Sequence, residues 1–116
     1  MLFRSNHGGR QLDGAPAPID LVAPCRDAVG DAIEIIADGG VRRGSDLVKA
    51  RALGADAVMA GRMYLYALGA AGEAGVDWLL DFVDDGMRRT MALCGATSVA
   101  DLTAELIDPD PAGTPD

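Results

Sequence analysis

The sequence predicts an α/β fold built on a parallel sheet, and three observations lead there. Short apolar or β-branched runs, at 2–3, 33–37 and 57–60, alternate with stretches of helical spacing. Each run gives way at once to a glycine-bearing loop. The runs are unbroken rather than alternating, as in parallel strands covered on both faces. With 116 residues, 49% of them hydrophobic, the chain suits one modest domain with a core.

Residues 1–4 read as the end of a strand cut short, with Leu2 and Phe3 apolar. Asp13-Gly14 marks a turn, and Ala15-Pro16-Ala17-Pro18 an extended connector. Pro24 suits the first position of a helix over 24–29, where its missing N–H costs little. Cys25, Ala28 and Val29 form its expected buried stripe, and Gly30 ends it. The β-branched run 33–37 is a strand. A helix capped by Ser45 follows, with Asp46 in the first turn, where the helix dipole favours an acid. Leu47, Val48, Ala50 and Leu53 lie on or near one of its faces, and Gly54 stops it. Residues 57–60 form a further strand and 63–68 a short helix, broken at Ala70-Ala71-Gly72. A long helix is expected from about 75 to 93, with Val76, Leu79, Leu80, Val83, Met87 and Met91 as its apolar stripe. Gly86 inside it costs about 1 kcal/mol. Ser98 is expected to cap a last helix to 106. Residues 108–116, rich in Pro, Asp and Gly, are expected to be a disordered tail to a folded part at 1–107.

Ten basic against 18 acidic residues leave a net charge of -8, which argues against a nucleic-acid partner because phosphate backbones need clustered cations. Cys25 and Cys94 lie far apart and form no metal-type pair with each other or with His7. They read as buried thiols in a reducing cytosol, so a cytoplasmic location is expected. No apolar run reaches the roughly 18 residues of a membrane span, and 1–4 is too short for a signal peptide.

Three loops carry the chemistry. In Ser5-Asn6-His7-Gly8-Gly9-Arg10, the chain's one histidine stands three residues before an arginine. Histidine is the residue type that can act as a base near neutral pH, which makes His7 a candidate proton acceptor, and Arg10 offers a planar fork suited to a carboxylate. The glycines let a ligand approach the main chain. The loop 38–44 and the turn Gly61-Arg62 suggest a phosphate site. Gly39, Gly40 and Gly61 would present backbone N–H groups, Arg42 and Arg62 charge, and the helix opening at Met63 its positive end. Asp38 suits a ligand hydroxyl or amide better than a phosphate. Singly, each loop also reads as an ordinary turn. In a parallel α/β barrel the three would gather on one face, where sites are built.

These residues carry a resemblance. The segments SNHGGRQLDGAPA (5–17) and ADGGVRRGSDLVKARALGADAVMAGR (37–62), with a weaker match in LYALGAAGEAGVDWLL and TMALCGATSVADL, resemble the FMN-dependent α-hydroxy-acid dehydrogenase and oxidase family. The first segment is highly specific; the second also resembles inosine-monophosphate dehydrogenases. The resemblance implies the C-terminal part of a (β/α)8 TIM barrel, about three βα units. It also implies FMN as cofactor and oxidation of an L-2-hydroxy acid of lactate, glycolate or mandelate type to the 2-oxo acid. By resemblance His7 is the active-site base, Arg10 binds the substrate carboxylate, and Ser5 contacts the flavin. Asp38, Gly39, Gly40, Val41 and Arg42 hold the ribityl chain and phosphate, and Gly61 and Arg62 complete the phosphate site. A complete barrel takes about 250 residues, so the chain reads as a C-terminal fragment whose partner is the missing N-terminal half. No metal is implied, the complete protein is expected to be a homo-oligomer, and a quinone-linked member would sit at the inner membrane. The alternatives are an isolated fragment without activity that retains some FMN or phosphate binding, and a phosphate-binding barrel of the inosine-monophosphate dehydrogenase type.

Overall fold

The computed structural model describes residues 2–4 and 6–107, with the backbone alone at 3, 4, 6 and 10. Strands β1 (Leu2–Arg4), β2 (Ile35–Asp38) and β3 (Ala57–Met59) form one parallel sheet in the order β1-β2-β3. Parallel neighbours need long crossovers. These carry α1 (Val22–Val29) and α2 (Gly44–Ala52), and α3 (Arg62–Leu93) follows the last strand. Arg4 lies opposite Ala37, and Asp38 opposite Met59.

The central strand β2 buries Ile35 and Ala37, two residues apart and so on one face. Ala37 packs there with Val22 of α1, Ala50 of α2 and Ala55. A second cluster joins Val48 and Ala52 of α2 to Leu102, with Met87 and Met91 of α3 against it. Ile36 and Asp38 occupy the opposite face of β2. Ile36 is half-buried, and Ala57 and Met59 of β3 are exposed. The expected burial of both sheet faces is therefore met only on the helical side of β2.

Several local expectations shift. The helix at α1 begins at Val22, continuing a 3-10 turn at Pro18–Leu21. Pro24 then falls inside its first turn, where N–H groups have no intrahelical acceptor anyway. Val22 and Cys25 are its buried residues and Ala28 is exposed. At α2, Ser45 does not cap. The Asp46 carboxylate accepts N–H bonds from Arg42 and Arg43 at 2.8 and 3.0 Å and closes that terminus. The helix α3 breaks where expected, with non-helical angles at Ala71 and Gly72. Its stripe includes Leu79 and both methionines but not Leu80, which is 63% exposed. The last helix is replaced by two 3-10 turns, Val99–Asp101 and Ala104–Leu106. There the Asp101 carboxylate takes the N–H groups of Thr97 and Ser98 at 2.8 and 2.7 Å and holds the chain in a local turn. Cys25 is buried as expected, but Cys94 is exposed. The expected tail at 108–116 lies outside the described residues.

Candidate functional site

Parallel pairing brings the C-terminal ends of all three strands to one edge, and there a cavity of about 790 Å³ opens. His7 and Gly9 reach it from the segment after β1, and Asp38 to Arg42 from β2 and the loop beyond it. Met59 to Arg62 line it from the end of β3 and the start of α3.

His7 rides on a 3-10 turn, Asn6–Arg10, closed by the N–H groups of Gln11 and Leu12 donating to Gly8 O at 3.1 Å. Its Nδ1 lies 3.6 Å from Oδ2 of Asp38. The two side chains differ sharply in exposure, 83% for His7 and 11% for Asp38. The carboxylate is thus anchored in the sheet while the imidazole reaches outward.

Beyond Asp38 the chain turns through Gly39 and Gly40 at φ 118° and 77°, a region that favours glycine. Gly61 has a different reason for being glycine. Its φ is -98°, open to any residue, and a Cβ there would meet no atom of the chain within 4 Å. Neither backbone nor packing demands a glycine, so the open space before it is available to a ligand.

The two helix N-termini near the loops are treated oppositely. That of α2 is closed by Asp46. That of α3 has no side-chain cap and no acid in its first turn. Its first N–H groups lack intrahelical acceptors, and they carry the positive end of the dipole. Arg62 stands at this terminus and Arg42 across the cavity, both exposed. By its chemistry such an arrangement can hold an anion.

Of the residues singled out from the sequence, the structure gathers His7, Asp38, Gly39, Gly40, Val41, Arg42, Gly61 and Arg62 around the one cavity. Arg10 ends the 3-10 turn that carries His7. Ser5 lies outside the described residues. Gly9, one of the loop glycines expected to let a ligand approach, also lines the cavity, whereas sequence reasoning missed Met59, Ala60, Leu65 and Tyr66. Leu65 and Tyr66 carried a signal, since they follow Arg62 at i+3 and i+4 and so share its helix face.

Residues 2–109 match the family described as FMN-dependent dehydrogenase. The chain belongs to that family. An L-lactate dehydrogenase of Caulobacter vibrioides is 52% identical over 103 residues, which are 89% of this chain and 27% of that protein. A pre-mycofactocin synthase of Mycolicibacterium smegmatis is 50% identical over 101 residues, 87% of this chain and 25% of that protein. The chain thus spans about a quarter of the curated relatives it matches. Among solved structures, the flavin-binding domain of baker's yeast flavocytochrome b2 superposes with a TM-score of 0.85 at 40% identity, covering 98% of this chain and 32% of that one. Mandelate oxidase with benzoyl-formic acid gives 0.81 at 46%, covering 86% and 30%. The family's members are FMN-dependent oxidoreductases, which disfavours the inosine-monophosphate dehydrogenase reading. Neither cysteine lines the cavity.

Proposed function

We propose that this chain supplies the phosphate-binding and proton-accepting side of a (β/α)8 barrel that oxidises a 2-hydroxy acid to a 2-oxo acid with FMN. The observation that carries the reading is the gathering of His7 with two glycine loops and an uncapped helix terminus around one cavity. The residues fit the cofactor. The N–H groups at Gly61 and the start of α3, with Arg42 and Arg62, would hold its phosphate. Gly39, Gly40 and Val41 would flank the ribityl chain and Asp38 would take a ribityl hydroxyl, with Ser5 a further flavin contact. FMN, when bound, would supply the acceptor for the α-hydrogen and the two electrons of the carbon–hydrogen bond that breaks. The chain's own contribution is acid–base and positional. Arg10 binds the substrate carboxylate, and His7 takes the proton of the substrate hydroxyl as the carbon–oxygen bond becomes double.

Substrate choice belongs to the rest of the barrel. This one portion is shared at 46–52% identity with proteins named for lactate, mandelate and a mycofactocin precursor, so the acyl side-chain pocket is built elsewhere. Alone, the chain is expected to bind the phosphate end of FMN weakly and to turn nothing over, because Tyr66 and Met59 at the cavity stand 72% and 49% exposed.

The test is co-production with the N-terminal remainder of a family relative. The expected result is a yellow complex that oxidises lactate, glycolate or mandelate. His7→Asn should retain flavin and lose about 100- to 10,000-fold in turnover, the usual weight of a positioned general base. Flavin uptake with turnover untouched by His7→Asn would remove His7 from the mechanism.

A further inference from the structure

We infer that the groove between α2 and α3 is a two-fold contact surface that takes the same groove of a second copy of this chain. The inference stands apart from the reading of His7 and of the flavin.

The groove holds about 470 Å³ and is lined by the start of α2 and one side of α3. Along α3, Trp78, Phe82, Asp85 and Arg89 recur at intervals of four, three and four. That spacing keeps four side chains on one narrow seam, as in helices that pack on one another in coiled coils. All four residues are exposed. The two rings already stack, with centres 5.2 Å apart and planes 15° apart. They therefore have little rotamer freedom left to lose on contact, and tryptophan is a preferred anchor of interfaces. Closing the barrel does not use this seam. Further strands join at the free edges of β1 and β3, and no strand residue lines the groove. Its walls already touch where Gly44 meets Gly86, which leaves no place for another barrel helix between them.

Charge identifies the occupant. The groove carries Arg43, Asp81, Asp85 and Arg89, all exposed. None of the four forms an ion pair with another described residue. Their charges cancel on a chain of net charge -8, so two copies repel each other least here. Both signs on one patch make it complementary to itself, as an isologous contact requires. A two-fold axis crossing α3 between Phe82 and Asp85 sets the two helices antiparallel, and the seam then pairs first with last. Trp78 meets Arg89 of the second copy, a guanidinium against an indole face. Asp81 comes within one turn of that same arginine, and Phe82 lies beside Asp85 of the second copy.

Trp78 is the chain's one tryptophan, so its emission reads this contact directly. In a dilution series of the full chain, emission should move to longer wavelength as the copies part and the indole meets water. With Arg43→Glu and Arg89→Glu together, the midpoint of that change should rise about 100-fold in concentration, because like charges then oppose each other across the contact. Asp81→Arg with Asp85→Arg should do the same. An equimolar mixture of the two variants should regain the parent's midpoint, since the altered grooves are complementary to each other, and that recovery also shows both to be folded. Emission that ignores dilution overturns the inference, as association through the sheet edges would leave the indole where it is. So does a mixture that fails to recover. A shift that appears only when the N-terminal remainder of the barrel is added would give the groove to that remainder and equally overturn it.

Discussion

Two glycines of the same chain serve opposite ends. Gly61 stands before open space at a φ any residue adopts, whereas Gly44 lets two helices touch. A Cβ on Gly44 would strike the backbone of α3 at Val83, Gly86 and Met87. Gly44→Ala should therefore cost about 1–3 kcal/mol, the range for overpacking, read as a lowered denaturant midpoint. Gly61→Ala should leave stability unchanged or raise it by about 0.4–1 kcal/mol through the unfolded chain. In the complemented barrel the same change should weaken FMN binding, measured by flavin titration. A loss of stability at Gly61 with flavin affinity intact would reverse its assignment. Gly86, a liability on helix propensity alone, gains a reason from the same contact, since a Cβ there would press within 3.4 Å of Gly44.

Between elements, one ion pair ties the layers together. Arg26 of α1 donates to Gly54 O at 3.0 and 2.8 Å and to Gly30 O at 2.6 Å, and pairs with the Asp56 carboxylate. Asp56 in turn accepts the Ile35 N–H at 2.8 Å. The end of α1, the start of β2 and the loop before β3 thus meet at one guanidinium. The Ile35 N–H above all holds the Asp56 carboxyl below its usual range; burial, next in weight, opposes it, and the Arg26 guanidinium and then Arg51 add to the lowering. A carboxyl depressed in the folded state contributes stability above the unfolded value of about 3.9, and that contribution fades as pH falls through the folded value. Asp56→Asn should therefore be less stable than the parent at pH 7, with the difference narrowing below about pH 4. Urea midpoints across that range check it. A constant gap would place the effect in packing rather than charge.

Taken whole, the molecule leaves much apolar surface uncovered. Tyr66, Trp78, Leu80 and Leu93 are 63% or more exposed. Trp78 and Phe82, both exposed, stack on each other with ring centres 5.2 Å apart. Both β1 and β3 are edge strands within the described sheet, and unpaired edges recruit other chains. Among the described residues no helix is long and apolar enough to cross a membrane. The chain alone should bind a hydrophobic dye and elute at an apparent size that grows with concentration. Complementation with the remainder of the barrel should suppress both. A sharp monomer peak without dye binding would contradict this reading.

The strand–loop–helix order, the break at Ala71-Gly72 and most of the cavity lining were legible in the sequence. They depend on local chemistry: β-branched runs, glycines and the caps and stops of helices. The mistaken Ser45 cap and the unforeseen helix start at Val22 are matters of which neighbour wins a backbone hydrogen bond, and short range alone does not decide that. The Gly44–Gly86 contact, the Arg26–Asp56 tie and the approach of Asp38 to His7 join residues 30 or more positions apart. Only the parallel register and helix packing bring such groups within ångströms of each other. Residue types and their spacing pointed to a base, a carboxylate clamp and a phosphate loop, and the tertiary structure decided which of those groups stand around one cavity.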